Sequence, residues 1–282
     1  MSGGPPPPPG RPPGTARIVT WNVWWRFGDP AVPRLPAVLA TLAALDADVV
    51  CLQEVHGDDT GADDAAAVAA HLGASLVRTD PVFHRGHSFG NAIVTRWPVL
   101  DRGELRLPGP DGRPGHRRAV WAALGSPGGR LPVVCTHLAH RFDESALRGT
   151  QLAAVAELAH GLRADEPGAA PPVVLCADLN AVPDSDEVRA LTGRSAPPVP
   201  GLVFNDCWPQ VRSDPGHTWV ARNPYLRDAS WPERRLDYVL VSWPRLAPIG
   251  KPVQAFLVGD GAVDGVWPSD HLGVAVDVRI TP

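Results

Sequence analysis

Lysine is almost absent from this sequence: of 26 basic residues, only Lys251 is not arginine. Against 30 acidic residues this leaves a formal net charge of -4, which excludes a global positive field that would coat nucleic acid, so any phosphate binding must be local. The arginine excess reads as a coding bias. Long apolar runs are also missing, and nothing approaches the roughly 18 to 20 residues needed to span a bilayer. The first 16 residues, MSGGPPPPPGRPPGTA, have no apolar centre of the secretory type. The expectation is a cytoplasmic protein with a disordered proline-rich segment over 1–16, followed by a single domain over 17–282. Cysteine is scarce: there are four, and Cys51, Cys135 and Cys176 each sit inside an apolar run, which excludes a disulfide framework. Proline and glycine, at 33 and 28, are too many for a helical bundle.

What is present is a chain of 282 residues, 44% hydrophobic, enough to bury a large core. Short β-branched runs alternate with helical ones. The pattern predicts strands over 17–21, 48–53, 91–95, 120–124, 131–136, 173–176, 236–241 and 273–278. Leu35, Val38, Leu39, Leu42 and Leu45 recur at helical spacing, as do Leu147, Leu152, Val155, Leu158 and Leu162 in a stretch opened by Asp143 or Ser145; 63–72 is a weaker, alanine-rich helix. The segments 108–115 and 193–201 read as linkers too short to separate domains, so the chain is read as one α/β domain.

The informative residues follow the apolar strands. Asn22 ends the first; Gln53 and Glu54 follow Val49 to Leu52; Thr136 and His137 follow Val133 to Cys135; Asp178 and Asn180 follow Val173 to Cys176. A strand covered on both faces seldom holds an ionisable group, so these side chains belong at strand ends, where four such ends make one shared polar site. Asp237 lies inside a predicted strand and needs a partner. Ser269, Asp270 and His271 precede the last strand.

Eight short motifs stand in a fixed order: WN at Trp21, LQE at Leu52, GNAIVTR at Gly90, THL at Thr136, RxxQ at Arg148, ADLN at Ala177, RLDYVLV at Arg235 and SDH at Ser269. In this order the chain resembles the endonuclease/exonuclease/phosphatase superfamily, with its DNase-I-like fold, from about Arg17 to Val278. Ala177 stands where that family usually has glycine. The resemblance implies a four-layer αββα sandwich, with two packed mixed β-sheets and helices on the outer faces. It also implies magnesium or manganese at one end, with Glu54 as principal ligand and Asn22 and Asp270 beside it. By the same resemblance Asp178 and Asn180 orient the attacking water, His137 holds a phosphoryl oxygen, Asp237 pairs with His271, and Thr218 lies near the site as a substrate contact.

The chemistry asks for these residue types in any case. A phosphoester needs its negative oxygens neutralised, an in-line water activated and a leaving oxygen stabilised. Arg118, with its neighbour Arg117, is a candidate phosphate contact, because guanidinium matches phosphate bidentately. Arg148 and Gln151 share a helix face and are expected to buttress the site; His84, Arg85 and His87 are candidates for the cleft wall. The resulting expectation is a monomeric, metal-dependent phosphoester hydrolase acting on a small molecule or a nucleic acid, with no membrane or protein partner implied. A nuclease on the same core is the nearest alternative. A different class is the serine esterase, since Gly86 to Gly90 reads GxSxG and Ser88, Asp237 and His271 follow in that order. The elbow requires a helix after the serine, whereas residues 91–95 are β-branched.

Overall fold

The computed structural model describes residues 7–29, 31–81, 83–163, 171–227, 231–245 and 247–282. In chain order its strands are β1 (Thr15–Asn22), β2 (Val49–Asp58), β3 (Ser75–Arg78), β4 (Phe83–His84), β5 (His87–Thr95), β6 (Val99–Pro108), β7 (Pro114–Ser126), β8 (Gly129–His137), β9 (Val174–Asp178), β10 (Val203–Asp206), β11 (Asp237–Trp243), β12 (Pro252–Val258) and β13 (Gly273–Arg279). The helices are α1 (Leu35–Ala44), α2 (Asp64–Leu72), α3 (Ser145–Leu162), α4 (Asp186–Leu191) and α5 (Trp208–Val211). One sheet runs β12-β13-β1-β2-β5-β3 with β4 on β5; the other runs β10-β11-β9-β8-β7-β6. Each is mixed: β1 and β2 are parallel in the first and β8 and β9 in the second, with antiparallel neighbours.

The continuous apolar runs are strands buried on both faces. Successive side chains point to opposite faces, so Ile18, Cys51, Cys135 and Cys176 enter the core between the sheets. Their neighbours Val19, Val50 and Leu52 pack under α1 and α2, and Val134 and Leu175 pack under α3 and α4. Three cores separate four layers, which is the αββα sandwich. The two parallel pairs have their crossovers through α1 and α3, as parallel neighbours require.

Every predicted strand and helix is present. Strands β3, β4, β6, β10 and β12 and helices α4 and α5 were not predicted. β6 and β12 are edge strands, held by backbone pairing to one neighbour, and β6 carries Asp101, Arg102 and Glu104 where a buried strand carries aliphatics. The segment 108–115 read as a linker is the β6–β7 turn, closed by Gly109 N–H donating to Arg113 O at 2.7 Å. Of the proline-rich stretch expected to be disordered, residues 1–6 lie outside the described residues. Arg11 forms an ion pair with Asp48, and Thr15 and Ala16 already belong to β1.

Candidate active site

Register brings the polar residues together. Asp178 of β9 is paired with His137 of β8 on one side and with Asp237 of β11 on the other, so the three stand in a row across one sheet. Two residues earlier on the same face of β8 and β9 are Cys135 and Cys176, and two residues later on β11 is Val239, all in the intersheet core. The row is therefore where that core reaches the end of the sandwich. The facing sheet shows the same gradient. On β1 the face runs Ile18, Thr20, Asn22; on β2 Cys51 is followed by Gln53, whose amide donates to Thr20 Oγ1 at 3.0 Å.

Glu54 reaches the site through a β-bulge. The β2–β5 register shifts between Leu52 and Val55, and Glu54 has φ +57, a left-handed conformation that turns the strand. Asp270 and His271 come from the loop before β13. That loop is tied to β1 by Ser269 Oγ donating to Asn22 O at 2.6 Å and by Trp21 Nε1 donating to His271 O at 3.0 Å. Gly273 permits this approach, since a Cβ there would lie 2.9 Å from Thr20 O.

Asp178 Oδ2 is the hub. It accepts from Asn22 Nδ2 at 2.9 Å, and His137 Nε2 and His271 Nε2 lie at 3.4 and 3.9 Å; Oδ1 accepts from the Asn180 amide at 2.9 Å. Burial, and then Asp237, hold the Asp178 carboxyl above the usual carboxylate range. Burial drives His137 well below its ordinary value, and Arg117 adds to this, so the ring is neutral. Arg117 donates to His137 Nδ1 at 2.7 Å, which places the ring proton on Nε2. Burial also disfavours a charged His271, but Asp237, Asp178 and Asp270 outweigh it and raise its pKa well above the ordinary histidine value. Its Nδ1 donates to Asp237 Oδ2 at 2.9 Å, leaving a second N–H on the pocket side.

Two carboxylates fit a hard divalent cation. Glu54 Oε2 is buried without a hydrogen-bond partner. Burial, with Asp270 beside it, pushes Glu54 up to about 7, and burial pushes Asp270 up to about 6. Both are hard oxygen donors lining one pocket, and a divalent cation held there would favour their ionised forms. A second group of ligand-type atoms, Asp178, Asp237 and His271, lies within 4.8 Å of one another. Within it His271 Nδ1 and Asp237 Oδ2 already hydrogen-bond each other, which opposes ligation through those atoms. Asn22 Oδ1 accepts from Trp24 N–H at 2.9 Å while its Nδ2 holds Asp178, so Asn22 chiefly orients its neighbours.

The pocket has a volume of about 360 Å³ and is lined by Asn22, Glu54, His137, Asp178, Asn180, Asp270 and His271, with Arg117 and His140 at one side. Two sequence-based candidates lie elsewhere. Arg118 alternates away from Arg117 along β7 and its guanidinium is ion-paired with Glu104, so it is not placed to bind substrate. Thr218 is fully buried; its Oγ1 accepts from the Leu236 and Asp237 amides, and its carbonyl accepts from Leu272 N–H, so it fixes the Asp237–His271 pair from behind. Arg148 and Gln151 hold the loop after β8: Gln151 Oε1 accepts from Ala139 N at 2.9 Å, and Arg148 donates to Arg141 O at 2.6 Å. His87 is 3.2 Å from His56 in a separate cluster with Arg26 and Asp58. Ala177 is buried against the α3 layer, where its methyl is accommodated.

The esterase constellation is absent. Ser88 lies in β5 rather than before a helix, its side chain is buried, and Asp237 and His271 face Asp178. Missed by sequence reasoning were Arg34, Trp219 and Arg234. Arg34 donates to the carbonyls of Val23, Trp24, Trp25, Phe27 and Pro268, pinning the β1–α1 loop to the segment before Asp270. No periodicity marks a side chain whose partners are backbone oxygens.

The model of the Endonuclease/Exonuclease/phosphatase family matches residues 19–271. Among curated proteins, protein angel homolog 2 of Bos taurus is 26% identical over 179 residues, 54% of this chain and 29% of that protein, so the chain matches less than a third of its length. Among solved structures, an endonuclease/exonuclease/phosphatase from Beutenbergia cavernae superposes with a TM-score of 0.69 at 27% identity, covering 95% of this chain and 72% of the other. TDP2 of D. rerio, solved with a single-strand DNA product, has a TM-score of 0.72 at 20% identity, covering 94% and 98%. The catalytic domain of human Nocturnin, with a bound sulfate, has 0.68 at 18% identity, covering 94% and 93%. The last two show likeness of fold.

Proposed function

The chain belongs to the Endonuclease/Exonuclease/phosphatase family, and from that premise we propose that it is a magnesium- or manganese-dependent phosphoester hydrolase that directs an activated water in line at phosphorus. The observation that carries the reading is that the carboxylates of Glu54 and the buried Asp270 line one pocket beside the Asp178 hub. A divalent cation held by Glu54 and Asp270, with Asn22 alongside, would neutralise a phosphoryl oxygen and the leaving oxygen.

The remaining chemistry belongs to the chain's own residues. Asp178, oriented by Asn22 and the Asn180 amide, accepts the proton of the attacking water; its raised pKa makes it the stronger base. The acids around His271 hold its pKa above the ordinary histidine value, which favours the donor role: it donates from Nε2 to the phosphoryl group while Asp237 fixes its ring. His137 Nε2–H and the Arg117 guanidinium supply donors on the other side, and the Asn180 amide side chain, which donates to Leu138 O at 3.2 Å, stiffens the turn.

Phosphodiesters and phosphomonoesters both suit these groups. A nuclease specific for nucleic acid is favoured among alternatives by the half-exposed rings at the mouth, Phe27, Phe89, Phe142 and Trp231, since bases stack on such faces. Four free, buried cysteines accord with a reducing compartment such as the cytoplasm, and no described helix is long and apolar enough to cross a membrane. A panel of phosphodiesters and phosphomonoesters, assayed with magnesium and with manganese, tests the reading. Turnover of at least one class is expected, and none with either metal would overturn it.

A further inference from the structure

Arg234 sits in the wall of the active-site pocket, and among the described residues no carboxylate forms an ion pair with it. Its Cζ lies 4.7 Å from the Phe142 ring centre, 5.8 Å from Trp219 and 5.9 Å from Trp231. Phe142 and Trp231 are themselves stacked, with centroids 4.1 Å apart and planes at 21°. The side chain makes no hydrogen bond or ion pair with any described residue, and its Nε is buried without an acceptor. The backbone holds the position rigidly: Arg234 and Trp219 form an isolated β-bridge, with Arg234 N–H donating to Trp219 O at 3.0 Å and Trp219 N–H donating back at 2.9 Å.

Other arginines here show what a structural role looks like. Arg34 satisfies its guanidinium on five carbonyls, and the adjacent Arg235, whose Nε likewise has no acceptor, is nevertheless paired through its terminal nitrogens with Asp206 at 2.7 Å. Arg234 instead is surrounded by π-faces, which attract a cation and strip its water but offer no oxygen acceptor. A partly desolvated guanidinium binds an anion more strongly than one in water. The site is one ring away from the reaction centre, because Trp219 also meets His271 edge-on at 5.1 Å.

We propose that Arg234, in its cage of Phe142, Trp219 and Trp231, anchors a second anion subsite that takes a phosphate flanking the scissile phosphoester, so that the preferred substrate carries two phosphates. The proposal rests on the hydrolase reading for the first phosphate, which sits at His137, Arg117 and His271. The rings beside Arg234 also suit a planar group carried between the two phosphates.

The test is binding, which reads the subsite whether or not the protein turns the compound over. Calorimetry with magnesium present compares thymidine 3′,5′-bisphosphate with thymidine 5′-monophosphate. In the wild type the bisphosphate should bind about tenfold tighter, the worth of one charge-assisted contact. In Arg234→Gln that ratio should fall to near one, while Arg234→Lys, which keeps the charge, should retain part of it. Retention in the lysine variant separates loss of an anion contact from loss of fold. Equal affinity of the two compounds in the wild type, or a ratio unchanged in Arg234→Gln, would overturn the proposal. A tenfold ratio in a protein that hydrolyses no phosphoester would retain the subsite and defeat the hydrolase reading.

Discussion

At the scale of single residues, neighbours in sequence have opposite fates because a strand alternates. Arg117 reaches His137 in the pocket, whereas Arg118 is ion-paired with Glu104. Arg117→Gln should therefore reduce kcat/KM by about 10-fold to 100-fold, the scale of one lost charge-assisted contact in a transition state, while Arg118→Gln leaves kcat/KM within about twofold of wild type. Steady-state kinetics on the two variants decides it, and equal losses would contradict the assignment. Asp178→Asn and His271→Ala should each lose about 10² or more in kcat with an unchanged circular dichroism spectrum, and Ser88→Ala should be nearly silent. The polar strand ends were legible in the sequence because each stands out against an apolar strand, but the roles of Glu54, His137 and Asp178 came from the ordered set of motifs and the family it resembles. Residues that work through backbone oxygens or aromatic faces were not legible. Arg34 and Arg234 look alike in sequence, and only their surroundings separate a guanidinium clamped on carbonyls from one packed on aromatic rings. Thr218 was named for the right neighbourhood and the wrong contact, since a buried hydroxyl that accepts two amides cannot reach a substrate.

At the scale of elements, the site is only as firm as the loop that follows β8. Helix α3 holds that loop through Arg148, whose Nε donates to the buried Glu187 of α4 at 2.6 Å while its Nη1 reaches Arg141 O. Arg148→Ala leaves the buried Glu187 carboxylate without its cation, with only the Ser145 hydroxyl at 2.7 Å still donating to it, and should cost about 3 kcal/mol of stability. Chemical denaturation measures this directly, and a cost below about 1 kcal/mol would mean that Glu187 finds another partner. The doubly covered strands and the two long amphipathic helices were readable from periodicity. The edge strands β6, β10 and β12 were not, because pairing along one edge needs no apolar pattern and tolerates charge on the open side. The bulge that turns Glu54 inward is likewise a property of the β2–β5 register, which no single strand's sequence displays.

At the scale of the whole molecule, a net charge of -4 conceals an acidic focus at one end of the sandwich. Glu54 at about 7 and Asp270 at about 6 bind protons more tightly folded than unfolded, so on their account cation-free stability falls as pH rises from about 4 to 7. His271, raised by its three acids, acts in the same direction, contributing stability at low pH that is lost as pH rises through its folded value. Neutral His137 opposes them, losing stability on acidification below its ordinary value. A cation competes with the protons on Glu54 and Asp270, so magnesium should raise Tm more at about pH 8 than at about pH 5.5; equal shifts in thermal melts at the two pH values would contradict this. The central claim is that these two carboxylates serve a metal used in phosphoester hydrolysis. Its most direct measurement is turnover of a phosphoester substrate by wild type and Glu54→Gln, each treated with EDTA and then given magnesium. Wild-type activity should vanish with the chelator and return with the metal, and Glu54→Gln should regain little of it. Undiminished turnover by the chelated wild type, or full recovery by Glu54→Gln, would contradict the account.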